Sequence, residues 1–229
     1  MNIVLILLIS SEKDRMVSRG EKIMVNVLIV RAHPLNQEVS RSMKVTDAFL
    51  NAYKEMHPDH KIEDINLYHV NVPEIDRDLL NAWNDLNQGK PFDSLSDSQQ
   101  QKVNMFNSYT EDFLQQDKII IANPLWNLSI PTRLKAWIDC ITVAGKTFKY
   151  TETGSVGIVK GKKVLHIQAN GGVYIGSDPA SQYVKTIFTF LGVTDFHQLF
   201  VEGMDHNPEK ADEIVKKAVE KAQQLAKAF

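Results

Sequence analysis

Residues 119–140 of the chain read IIIANPLWNLSIPTRLKAWIDC. They open with an apolar, β-branched run that is typical of a buried parallel strand. A turn rich in proline and asparagine follows. A helix is then predicted, with Pro131 in its first turn and with Leu134, Trp137 and Ile138 at helical spacing. Open α/β sheets bind their ligands at the carboxyl ends of strands, so residues 124–128 are predicted to form the floor of a ligand site.

Size and composition limit the possible classes of protein. The chain has 229 residues, 43% of them hydrophobic, which suits one substantial core and makes a second domain unexpected. A net charge of −2 and a pI near 6.4 do not indicate a nucleic-acid-binding surface. The single cysteine, Cys140, excludes an intrachain disulfide and fits a cytoplasmic location. We interpret Cys140 as a small packed residue rather than a nucleophile.

The first 24 residues differ from the rest of the chain. The apolar run 3–9 is much shorter than the roughly 20 residues of a membrane-spanning helix. No positively charged segment precedes it, and no convincing cleavage site follows. We interpret residues 1–24 as an N-terminal extension outside the fold, and residues 25–229 as a single domain that does not associate with a membrane. A short membrane-targeting segment is the alternative.

From residue 25 onwards, strands and helices alternate. Strands are predicted at 25–31, 61–67, 118–122, 163–168 and 194–201, and helices at 39–56, from 131, at 179–191 and at 208–228. A long polar insertion, 68–117, contains helical pieces at 76–85 and 97–115. This pattern predicts an α/β fold, a flavodoxin-like doubly wound five-stranded parallel sheet of order 2-1-3-4-5 with helices on both faces. The loops after strands one, three and four should then converge.

The loop after the first strand, residues 32–42, lacks the glycines of a dinucleotide fingerprint or a P-loop. It contains His33, Ser40, Arg41 and Ser42 where the strand leads into the first helix. Free N–H groups and the helix dipole at such a position favour a phosphate dianion. The alternative is that Ser40 and Ser42 are only helix caps or solvated residues.

The other two loops suit a planar ligand. An aromatic ring system can lie against Leu125 and Trp126, with Asn127 and loop amides at its polar edge, although Trp126 could equally be a core residue. The loop 169–174 contains Gly171 and Gly172, which permit close backbone approach or positive φ. Many paired glycines after a strand are only turns.

These three segments together resemble the FMN-dependent NADH-azoreductases, which are flavodoxin-like quinone reductases. The resemblance covers residues 25–226 and is carried by 27–34, 122–135 and 170–174, with 145–152 sharpening the match. It implies an FMN-dependent NADH:quinone oxidoreductase or azoreductase. Hydride would pass from NADH (or NADPH) through FMN N5 to quinones and aromatic azo compounds by ping-pong turnover. It also implies a homodimer with the site near the subunit interface.

The resemblance also assigns residues by position. Ser40 and Ser42 would contact the phosphate, with His33 beside them. The isoalloxazine would be lined by Pro124, Leu125, Trp126, Asn127 and Leu128, and closed on its other side by Ala169, Asn170, Gly171 and Gly172. Tyr150 and His33 are candidate proton sources, alongside solvent water. The family often has Met-Tyr-Asn-Phe at 125–128, and the missing phenylalanine widens the substrate side.

Two other classes of protein remain open. A flavodoxin-type electron carrier would bind flavin without efficient NADH turnover, but such carriers usually present a strongly acidic face. A hydrolase would need a nucleophile with a base partner, and the sequence shows none. The histidines lack metal-ligand spacing, so no metal site is expected. His166 lies in a strand that should be buried, and Glu202 is interpreted as an isolated carboxylate, solvated or capping rather than catalytic.

Overall fold

The computed structural model describes residues 24–229 and has a parallel sheet at its centre. Its elements, in chain order, are β1 (Asn26–Arg31), α1 (Arg41–Met56), β2 (Lys61–Asn66), α2 (Arg77–Asn87), α3 (Asp97–Gln115), β3 (Lys118–Pro124), α4 (Thr132–Ile141), β4 (Phe148–Thr151), β5 (Gly154–Gly157), β6 (Lys163–Asn170), α5 (Pro179–Leu191), β7 (Asp195–Glu202) and α6 (Ala211–Ala228). Short 3₁₀ helices occur at Phe92–Ser94 and Pro208–Lys210. Five parallel strands form the central sheet in the order β2-β1-β3-β6-β7. Without the β4–β5 hairpin, this order corresponds to the predicted 2-1-3-4-5.

Two apolar cores lie on opposite faces of this sheet. The side chains of Ile119 and Ile121 in β3 belong to the core under α3, α4 and α5. Ile120 and Ala122 belong to the core under α1 and α6. Successive side chains of a strand point to opposite faces, so a continuous apolar run fits a strand that is covered on both sides. The central strands of the sheet are therefore covered on both faces, and their ligand-accessible parts are the strand ends.

Local sequence sets the helix ends. Ser40 caps α1 and Asp178 caps α5, each with a side-chain oxygen that accepts a backbone N–H from the first turn. Ser96 and Gln99 form a reciprocal capping box at the start of α3. Gly192 ends α5 with φ of 105°, a left-handed conformation that favours glycine. These caps fix where α1 and α5 begin, and thus where the loops before them end.

The structure differs from the sequence prediction in several places. The strands β3 and β6 extend to Pro124 and Asn170, because Pro124 pairs with Ala169 and Asn170 pairs with Glu202. Pro124, Ala169 and Asn170 therefore lie at strand ends rather than in loops. Pro131 precedes α4 as its N-cap instead of lying in its first turn. The antiparallel β4–β5 hairpin was not predicted, since four-residue strands show too little periodicity to detect.

The predicted extension, residues 1–24, lies outside the described residues apart from Met24. Within residues 24–229, none of the helices combines the length and apolar character needed to cross a bilayer.

Candidate active site

The three predicted loops meet at the carboxyl edge of the sheet. The rings of His33, after β1, and Trp126, after β3, lie with their centroids 5.4 Å apart and tilted by 55°. The Leu125 N–H donates to the Ala169 carbonyl at 2.9 Å, which joins the second loop to β6. Parallel strands bring the segments that follow them to one edge, and the order reversal beside β1 leaves a crevice there.

Residues 126–129 form a tight turn at the end of β3. Trp126 N–H donates to the Ser129 carbonyl at 3.1 Å, and Ser129 N–H donates to the Trp126 carbonyl at 2.9 Å. Asn127 and Leu128 have φ of 51° and 59°, as a two-residue type I′ turn requires. The amides of these two residues donate to no other residue within 24–229. The turn therefore offers two N–H donors to the polar edge of a ligand.

Trp126 is not a core residue. Its side chain is 40% exposed, and that of Leu128 is 51% exposed. The possibility that Trp126 is plain core is therefore wrong. An exposed indole beside an exposed leucine provides a flat apolar surface next to the free amides of the turn, which suits a planar ring with polar edges.

The start of α1 carries two hydroxyl groups that are shielded from solvent. Ser40 Oγ accepts from the Met43 N–H at 3.3 Å and lies 3.1 Å from Ser42 Oγ. Ser42 is fully buried. Ser40 is thus the N-cap of α1, and this cap leaves the other first-turn N–H groups of the helix without an acceptor inside the helix. Two hydroxyls, helix amides and the neighbouring Arg41 form a donor set that suits a phosphate dianion.

His33 presents a neutral imidazole to this edge. Its Nδ1 lies 3.0 Å from the Leu35 nitrogen and 3.2 Å from the Leu35 carbonyl oxygen, and the His33 carbonyl accepts from Asn66 Nδ2 at 3.0 Å. Partial burial lowers the pKa of His33 below 6.5, with a smaller opposing effect from the Leu35 backbone. Burial of the ring therefore favours the uncharged imidazole.

Gly171 and Gly172 permit close approach of neighbouring side chains and do not serve positive φ. A Cβ at Gly171 would lie 1.9 Å from Asp205 Oδ2, and one at Gly172 would lie 3.1 Å from the Tyr174 ring. Neither glycine has a positive φ, whereas Ile175 does, at 53°. The Asp205 N–H donates to the Gly171 carbonyl at 3.0 Å, which attaches this loop to the segment after β7. Arg41 Nη1 lies 3.6 Å from Asp205 Oδ1, and this ion pair links the segment after β7 to the start of α1.

Sequence reasoning missed a set of buried polar side chains beneath the loops. Asn123, His166 and Gln168 have no exposed surface, and His166 Nε2 donates to Asn123 Oδ1 at 2.7 Å. Glu202 was interpreted as isolated, but it accepts from Asn170 Nδ2 at 2.7 Å and from the Ile175 N–H at 3.1 Å. The sequence does contain a signal for such a set, because polar residues occur near the ends of otherwise apolar strands. Polar side chains that are buried there must find hydrogen-bond partners, and these are most readily one another.

Three other sequence expectations concern residues away from this cluster. Tyr150 lies on the β4–β5 hairpin, is 68% exposed and packs its ring on Phe148; no hydrogen bond or ring contact among residues 24–229 joins it to the three loops. Burial raises the pKa of the Cys140 thiol to about 12, which agrees with a packed residue. In the described part of the chain, no group of three or more potential ligands could hold a metal.

The arrangement fits one kind of ligand best. It combines a helix start whose donors suit an anion with an apolar, donor-rich turn, and both lie at the same edge of the sheet. FMN has the matching composition, with a phosphate at one end and a planar ring with polar edges at the other. Ser40 and Ser42 could hold the phosphate, and residues 124–128 could hold the ring.

Comparison with known proteins gives consistent results. The sequence matches the family model described as having a flavodoxin-like fold over residues 25–226. The FMN-dependent NADH:quinone oxidoreductase of Streptococcus suis is 43% identical over 206 residues, which cover 90% of this chain and 100% of that protein. A protein of the same name from Geobacillus kaustophilus is 46% identical over 212 residues, with the same coverage. The crystal structure of an FMN-dependent NADH-azoreductase from Bacillus anthracis, in complex with FMN, superposes with a TM-score of 0.80 at 36% identity, and the match covers 89% of this chain and 100% of that one.

Proposed function

Because this chain belongs to the flavodoxin-like fold family and is more than 40% identical to FMN-dependent NADH:quinone oxidoreductases along their whole length, we propose that it has the same activity. It is an FMN-dependent enzyme that uses NADH to reduce quinones and aromatic azo compounds. The structural observation that carries this proposal is the meeting of an anion-binding helix start with the exposed turn at Trp126–Ser129.

The chain's own residues bind and orient the cofactor. Ser40, Ser42 and the first-turn amides of α1 bind the phosphate. Trp126 and Leu128 line the ring, together with Pro124, Leu125, Asn127 and the segment Ala169, Asn170, Gly171 and Gly172 opposite. When bound, FMN supplies two-electron hydride chemistry between NADH and the acceptor.

The loop amides and the neutral imidazole supply the local electrostatics. The free N–H groups of Asn127 and Leu128 stabilise negative charge at the ring edge, because preorganised donors cost little reorganisation during a reaction. The His33 imidazole and solvent water are the proposed proton sources. Tyr150 is less suitable because its ring lies on the hairpin, away from the three loops.

The proposal predicts a ping-pong reaction. The purified protein should show flavin absorption that denaturation releases, and NADH should bleach it in a single-turnover stopped-flow experiment. Both substrates use the space above Trp126 in turn, so plots of reciprocal initial rate against reciprocal NADH concentration at several quinone concentrations should be parallel. Quinones should be reduced faster than azo dyes, because cleavage of an azo bond takes two successive hydride transfers.

The same experiment separates the alternative function. A flavodoxin-type carrier would contain flavin, but NADH would bleach it very slowly. Intersecting initial-rate lines would indicate two separate substrate sites and would contradict the assignment of the turn.

We also propose that the protein is a homodimer with the site near the subunit interface. The support is a group of exposed apolar side chains on the site loops: Val39, Leu128, Val173 and Ile175, the last 82% exposed. A second copy of the chain would bury this apolar surface on dimerisation.

Light scattering tests the dimer. At micromolar concentration, the mass should be twice the 26.0 kDa of one chain. Ile175→Lys should shift the protein towards monomer, because a charge in an apolar interface is costly. Met56→Lys, at the far end of α1, is the matched control and should leave the mass unchanged. A wild-type monomer with full activity would contradict the interface model.

Two further parts of the proposal concern the whole chain. Residues 25–229 act as one FMN-binding domain, and residues 1–24 are an extension that the activity does not need. The protein works in the cytoplasm, where its single buried cysteine stays reduced.

A further inference from the structure

A continuous series of side-chain hydrogen bonds runs beneath the second and third loops. We call it the buried relay; its members are Gln198, His166, Asn123, Gln168, Asn170 and Glu202. Gln198 Nε2 donates to His166 Nδ1 at 3.4 Å, and His166 Nε2 donates to Asn123 Oδ1 at 2.7 Å. Asn123 Nδ2 then donates to Gln168 Oε1 at 3.3 Å. Gln168 Nε2 donates to Asn170 Oδ1 at 2.9 Å, and Asn170 Nδ2 donates to Glu202 Oε1 at 2.7 Å.

The hydrogen bonds that join the members of the buried relay all run towards Glu202, and Gln168 Nε2 also donates out of the series to Asp178 Oδ1 at 3.0 Å. An ionised carboxylate only accepts hydrogen bonds, so it is a natural end for such a series. His166, Asn123, Gln168 and Asn170 have no exposed surface. An unpaired polar group at such positions would be costly, and hydrogen bonds in series strengthen one another. The buried relay is therefore a stiff unit with one favoured arrangement.

The buried relay contacts the two loops of the proposed ring site directly. Asn123 Nδ2 also donates to the carbonyl of Pro124 at 2.9 Å, and Pro124 is the first residue of the 124–128 floor. At its end, Glu202 accepts from the Tyr174 N–H at 3.3 Å and from the Ile175 N–H at 3.1 Å. A left-handed backbone at a β-branched residue such as Ile175 is unfavourable. The carboxylate offsets that cost by holding the amide.

The carboxylate of Glu202 bonds to the loop at 174–175 and to Asn170 at the end of β6. Among residues 24–229, Glu202 makes no ion pair, and its described partners are the Asn170 amide and two backbone N–H groups. Hydrogen bonds to an ionised acceptor are roughly twice as strong as neutral ones. A carboxylate without a cation, with bonds to two amides of one loop, is suited to fixing the shape of that loop.

From these contacts we infer that Glu202 is a positioning residue of the active site, which acts through the buried relay to hold residues 171–175 at a set position relative to the 124–128 floor. The inference rests on the proposed function, because the two loops are those that close on the ring of FMN. Glu202 does not need to touch the cofactor in this role. Its loss should loosen the ring pocket and leave the phosphate contacts at Ser40 and Ser42 intact.

The test compares Glu202→Gln with Glu220→Gln, an exposed position on α6 that serves as the matched control. The first readout is amide hydrogen exchange in the flavin-free protein. In Glu202→Gln, the amides of Tyr174 and Ile175 should exchange at least tenfold faster, because an amide side chain accepts from them less strongly than a carboxylate does. The control should exchange like the wild type.

The second readout is flavin affinity. Glu202→Gln should weaken FMN and riboflavin equally, each about fivefold or more, since the ring contacts are disturbed and the phosphate contacts are not. Glu202→Asp, which keeps the charge but shortens the reach, should change both readouts in the same direction. Normal exchange at 174–175 would overturn the anchoring role, and faster exchange with unchanged flavin affinity would overturn the positioning role alone. If the wild type bound neither flavin, the proposed function itself would fail, and the positioning role with it.

Discussion

Replacing Ser40 and Ser42 with alanine together is expected to weaken FMN binding at least tenfold and to leave riboflavin binding almost unchanged. Hydrogen bonds to a charged group contribute about 1.5–3 kcal/mol each. The two hydroxyls lie 3.1 Å apart and share a hydrogen bond, so their contributions should not add fully. Riboflavin lacks the phosphate and reports on the ring contacts alone. Titration of the flavin-free protein with each flavin measures both affinities.

The single variants separate binding from helix capping. Ser40 is the N-cap of α1, so Ser40→Ala should also lower the free energy of unfolding by about 1 kcal/mol. Ser42 is inside the helix, so Ser42→Ala is the cleaner test of the phosphate contact. Ser108→Ala, on α3, removes a hydroxyl that bonds to a helix carbonyl and serves as the control. Equal weakening of FMN and riboflavin would show that these serines do not contact the phosphate.

Acid is expected to destabilise the protein through His166. Complete burial lowers the pKa of His166 to about 4, with a smaller opposing effect from Asp178. In the unfolded chain, the imidazole protonates near pH 6.5, so below that pH the unfolded state binds more protons than the folded state. The stability linked to His166 is fully present above pH 6.5 and is lost as the pH falls towards 4. The loss over this interval is about 3 kcal/mol.

Urea unfolding at a series of pH values between 7.5 and 4.5 measures this effect. His166→Gln should be less stable than the wild type at pH 7.5, because it disturbs the buried relay, but its stability should depend less on pH. The lowered pKa values of His33 and His57 also make the protein less stable in acid. The effect of His166 is therefore the difference between the stability curves of the wild type and of His166→Gln. His69→Gln, at an exposed position, is the control and should retain the full wild-type slope. Parallel curves for the wild type and His166→Gln would contradict the assignment.

The central sheet could be predicted from sequence because the information is local. Runs such as 27–30 and 119–122 are apolar at every position, which is the pattern of a strand covered on both faces. Helical spacing and capping residues such as Asp178 located the helices between them. Strand order and the crevice at the sheet edge then followed from the rules of α/β topology. The hairpin at 148–157 was not predicted, because its strands are too short to show the alternation of apolar and polar residues that identifies a strand.

Features of the site that depend on contacts between distant segments were decided by the tertiary structure. Sequence reasoning could not choose between a core and an exposed Trp126, since exposure depends on how the turn at 126–129 projects from β3. It also left open whether Gly171 and Gly172 serve close approach or positive φ, and the structure has close approach at these glycines and positive φ at Ile175.

The buried relay shows the same division most clearly. Its members come from three different strands, and the hydrogen bond between His166 and Asn123 joins residues 43 positions apart. The sequence alone determined that polar residues would stand near the ends of apolar strands. Only the parallel pairing of β3, β6 and β7 decided that those residues would be neighbours, because a hydrogen bond forms only at about 3 Å and that separation is set by strand register.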